Sequence, residues 1–60
     1  MEADLSYYRR RSAEEMAAAA AADSNIARDA HLELARRYDG EVAKLGVALR
    51  RADLRIVDAA

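Results

Sequence analysis

The chain has 60 residues, with no cysteine or proline, two glycines, one histidine and a formal charge of −1. That length holds one small helical domain, 1–60. With neither disulfides nor a ligand set for a metal cage, such a domain is expected to gain stability by self-association, and a dimer is favoured. The near-neutral charge excludes global attraction to nucleic acid or to an anionic membrane, while sixteen alanines and many Glu, Arg and Leu predict an all-α fold.

Asp4 or Ser6 is placed to cap a first helix over about 4–22, whose inward face is Leu5, Tyr8, Ser12, Met16 and Ala19 at helical spacing. Arg10 with Glu14, and Arg11 with Glu15, then fall one turn apart on the outer side. The same segment carries Tyr7-Tyr8-Arg9-Arg10-Arg11, three cations and two aromatic rings in little more than one turn. Basic residues beside aromatics suit phosphate contacts and base stacking. Tyr7, Arg9, Arg10 and Arg11 therefore form the one candidate nucleic-acid patch, although Glu14 and Glu15 dilute it. These glutamates also interrupt any apolar core of a signal peptide between the arginines and the alanine run. No stretch approaches the ~20 apolar residues needed to span a bilayer, so the expected compartment is the cytoplasm.

The alanines from 17 to 22 favour helix and suit close approach of a second backbone. Asp23-Ser24-Asn25 follows as a turn and capping cluster, and it predicts the corner of a helical hairpin at 23–25. A second helix is predicted over about 26–57. Its apolar positions Ala27, His31, Leu34, Tyr38, Val42, Leu45, Leu49, Ala52 and Ile56 recur every three or four residues, the spacing of a coiled-coil seam. Asp39-Gly40 is a turn signal inside this run and the place where the helix would break. The stripe keeps its phase across Gly40, which favours a continuous helix with Gly40 and Gly46 as tolerated costs. Three shorter helices closed at Gly40 are the alternative.

A continuous second helix outreaches the first. Residues 42–57 overhang, and Tyr38, Val42, Leu45, Leu49 and Ile56 are the expected oligomer interface. A second, weaker stripe of Leu32, Ala43, Val47, Leu54 and Val57 gives a candidate second interface for a protein partner. No residue set reads as catalytic, cofactor-binding or metal-binding. His31 has no cysteine or second histidine for company, and a hydrogen-bonded packing role suits it best. Gly40 and Gly46 are isolated and form no phosphate-cradling loop. The expected function is thus a non-enzymatic, self-associating interaction module without cofactors, with a nucleic-acid-binding hairpin dimer as the alternative.

Tyr7-Tyr8-Arg9-Arg10-Arg11, then Glu14-Glu15, then Ala30-His31-Leu32-Glu33-Leu34-Ala35 with Tyr38, resembles a group of small alphaproteobacterial, sphingomonad-type proteins. The resemblance covers about residues 7–38. Members often carry Asp-Pro at the hairpin corner, where this chain has Asp23-Ser24. The resemblance implies a bacterial helical hairpin and no activity. In size and topology the chain is also similar to the plasmid copy-number regulator built as a dimer of helical hairpins on paired RNA stem-loops, a likeness of fold alone.

Overall fold

In a computed structural model the chain is two helices, α1 (Asp4–Ala21) and α2 (Asn25–Ala59), packed against each other as a hairpin. The structure describes residues 3–59, with side chains within 3–52. Both helices follow from alanine-rich, proline-free sequence. α1 starts at Asp4 itself, so neither Asp4 nor Ser6 caps it. The N-cap is Ala3, which supplies no side-chain hydrogen bond.

The corner is one residue earlier than the sequence predicts. Ala22, in extended conformation, ends α1, and its N–H reaches back to the Ala19 carbonyl. Ser24 then caps α2, its Oγ accepting the Ala27 N–H at 3.1 Å while its carbonyl accepts from Arg28. Asn25 is therefore the first helical residue rather than the last of the turn.

α2 runs without a break through Gly40 and Gly46. Neither glycine has a positive φ, and a Cβ at either would meet nothing within 4 Å. The turn signal at Asp39-Gly40 is overridden because the apolar face on both sides belongs to one stripe, and Asp39 is used instead as an acceptor for α1.

The core between the helices is small and largely polar. Its buried residues are Ser12, Glu15 and Ala19 on α1 and Ala35 on α2. Met16, expected to face inward, is 51% exposed, and Glu15, expected outside, is 7% exposed. The buried positions of α1 follow a strict alternation of three and four residues from Leu5 and Tyr8 through Ser12 and Glu15 to Ala19. Met16 lies one position off that line. On α2 the corresponding line is His31, Ala35, Tyr38, Val42 and Leu45, with Ala35 at its centre and Leu34 displaced to the rim. Small side chains at Ala19 and Ala35 let the backbones approach, which leaves no room for leucine or methionine between them.

Candidate functional site

Two sets of contacts tie the helices. Near the corner, the Glu15 carboxylate lies between Arg11 of its own helix and His31 of α2. His31 Nδ1 is 2.7 Å from Oε1, and Arg11 donates to Oε2 at 2.8 Å. The hydrogen bond from His31 is the main reason the Glu15 carboxyl is held below its ordinary value. Desolvation works against that shift and Arg11 adds to it. Further along, Ser12 Oγ donates to Asp39 Oδ1 at 2.5 Å. Ser12 is committed to Asp39 and not to His31, so the carboxylate and imidazole pair with each other and have no hydroxyl nucleophile between them.

Towards the open end, Tyr7, Tyr8 and Tyr38 cluster. The rings of Tyr7 and Tyr8 meet edge to face at 5.4 Å, and Tyr38 lies 6.0 Å from Tyr8 and 6.5 Å from Tyr7. Arg11 covers the Tyr38 ring at 5.3 Å and Arg10 the Tyr7 ring at 5.4 Å. Tyr38, predicted for an interface between copies, thus packs inside the hairpin. Val42 and Leu45 are half-buried where α1 begins, and Leu49 beyond them is 56% exposed.

The basic patch is largely compensated within α1. Arg10 pairs with Glu14 at 3.2 Å, and Arg11 with both Glu14 at 2.7 Å and Glu15 at 2.8 Å. Glu14, first among these partners, and Tyr38 next, push the Arg11 guanidinium above its ordinary value. Arg11 in turn is the main cause of the lowered Glu14 carboxyl. Three arginines against two glutamates leave a local excess of one positive charge, and the tyrosine faces are already occupied by each other and by arginine.

The second stripe divides. Leu32 is half-buried beside the hairpin and leaves the far face, whereas Val47 is 51% exposed. The predicted contacts of Leu54, Ile56 and Val57 lie outside the residues whose side chains are described. Glu15 and Ala35, both central to the hairpin, were missed by sequence reasoning. Strict heptad spacing selects them, while hydrophobicity alone rejects a glutamate and ranks an alanine below its leucine neighbour.

Among the described residues no group of three or more His, Cys, Asp or Glu is placed to hold a metal ion, and no helix is long and apolar enough to cross a membrane. No protein-family model, curated protein or solved structure matches the chain.

Proposed function

We propose that the chain is a non-enzymatic, cytoplasmic interaction module that binds a second copy of itself through the α2 stripe around Val42, Leu45 and Leu49. Its outer faces are left for a protein partner. One observation carries this reading. The radius of gyration is 15.5 Å, against about 10 Å for a compact domain of this length. The excess comes from a single helix end extending past α1, on which Val47 and Leu49 are exposed, and such an end is the shape of half an assembly.

Sedimentation equilibrium over a wide concentration range tests it, with a dimer expected. Leu45→Asp together with Leu49→Asp is expected to give a monomer of lower helicity, because two carboxylates cannot be desolvated in an apolar seam. A wild-type monomer, or a double variant that keeps its native mass and circular dichroism, refutes the seam. The compensated arginine patch gives the nucleic-acid alternative less support. Salt-dependent RNA binding abolished by neutralising Arg9, Arg10 and Arg11 would restore it.

A further inference from the structure

Resting on that self-association, we infer that the two copies pair antiparallel through their α2 overhangs, each overhang lying end to end with the other copy's α1. α1 has 18 residues and α2 has 35, or about 27 Å and 52 Å of helix. The register of the hairpin fixes where α1 begins. Counting from the Glu15–His31 contact back to Asp4 on α1, and equally far forward on α2, reaches Val42. The same count from Ser12–Asp39 reaches Val47. Helix α2 therefore continues past the start of α1 to Ala59 for about 18–25 Å. A second overhang of that length, placed on the same face, completes a cover along the whole of α2.

The area agrees. The chain exposes 4881 Å², whereas a compact protein of 6.6 kDa exposes about 3,900 Å². The excess of about 1,000 Å² per copy is close to the roughly 800 Å² that each partner buries in a stable interface. A second copy is thus a sufficient occupant, and its symmetry makes the stripe self-complementary.

Position of α1 decides the orientation. It occupies the same face of α2 as Leu49, because His31, Tyr38, Val42, Leu45 and Leu49 form one stripe. In a parallel pair both copies of α1 would lie between the two α2 helices at one end, forcing them apart there while the overhangs close to the 8–10 Å of packed helices. In an antiparallel pair the two α1 helices lie at opposite ends and both α2 helices stay straight. This arrangement also brings the negative end of one α2 towards the positive end of the other copy's α1, whose Ala3 offers no side-chain cap. The two-fold axis falls near Ala52, an exposed alanine on the stripe.

Cysteine cross-linking in the full chain tests this, since the sequence has no cysteine of its own. In the antiparallel pair Ala52→Cys lies at the axis and is expected to form a disulfide-linked dimer under mild oxidation. Leu45→Cys lies about 20 Å from its counterpart, beyond the ~7 Å limit for a bridge, and is expected to stay unlinked. Linking at both positions means a parallel pair and overturns the inference while leaving self-association intact. A dimer by sedimentation that links at neither position places the contact on another face and also overturns it. A monomer by sedimentation removes the self-association beneath it.

Discussion

Replacing Gly40 and Gly46 together by alanine probes whether the surface of α2 is free at these two positions, Gly40 on the outer face and Gly46 at the edge of the stripe. Each glycine sits inside a helix at ordinary negative φ, with open space where a Cβ would go, so the hairpin itself has no use for either. Alanine is favoured over glycine in a helix interior by about 0.5–1 kcal/mol. The two sites are about 9 Å apart along the axis, far enough for their effects to add. The double variant should gain about 1–2 kcal/mol per chain. At roughly 4–8 °C for each kcal/mol in a domain of this size, that is a rise of about 4–16 °C in the circular-dichroism melting temperature. Protein concentration must be held fixed, because any association makes the midpoint concentration-dependent. A fall in the midpoint refutes the reasoning. If it is accompanied by a lower sedimentation mass, the added methyl groups collide with another copy, and the glycines serve close helix contact in the assembly.

Three further outcomes follow from the hairpin contacts. Ala35→Leu, at a position 1% exposed, should cost about 1–3 kcal/mol by overpacking. Helix preference barely changes, so a lowered urea midpoint with preserved helicity at low temperature marks the loss as one of hairpin packing. Ser24→Ala removes the only side-chain acceptor described for the α2 N-terminus and should cost about 1 kcal/mol, with Ser24→Gly costing a few tenths, as read from thermal melts. Acid should weaken the hairpin through Glu15. Its folded carboxyl titrates below the ordinary 4.5, first because of His31 and then Arg11. The contact therefore contributes fully above pH 4.5 and is lost as the pH falls through the lower folded value. The urea midpoint should drop across that acid range, and the drop should shrink in Glu15→Gln; an unchanged pH profile in that variant contradicts the assignment.

The fold was legible in the sequence wherever local physics decided it. Absence of proline, the alanine run and the Asp23-Ser24-Asn25 cluster dictate two helices and one corner. The unbroken phase of the stripe across Gly40 outweighs the turn signal there, because a reset would place Val42 and Leu45 on the wrong face. The interior of the hairpin was less legible. A search for large apolar residues selects Met16 and Leu34, while the structure buries Glu15 and Ala35 one position away. Hydrophobicity identifies a core filled by bulk, and this core is set by close approach and by one carboxylate held between Arg11 and His31. Tyr38 shows the same ambiguity, since a stripe residue fits a contact within the chain as well as one between chains. The ring contacts of Tyr38 with Tyr7 and Tyr8 on α1 separate the two.

The start of α1 also explains why the apolar stripe outlasts the hairpin. Along α2 the stripe keeps one spacing from His31 to Leu49, but its neighbours change character as α1 ends. Below Val42 it meets polar groups and the Tyr7 and Tyr8 rings, whose hydrogen bonds and ring contacts fix the register of the hairpin. Beyond Leu45 the described apolar side chains Val47 and Leu49 are 51% and 56% exposed, so α1 leaves their hydrophobic burial unused. A hairpin built this way is held in register by its own contacts and leaves apolar surface exposed on α2. In consequence, substitutions at Glu15 or His31 should alter hairpin geometry before they alter mass, whereas substitutions at Leu45 or Leu49 should change both together.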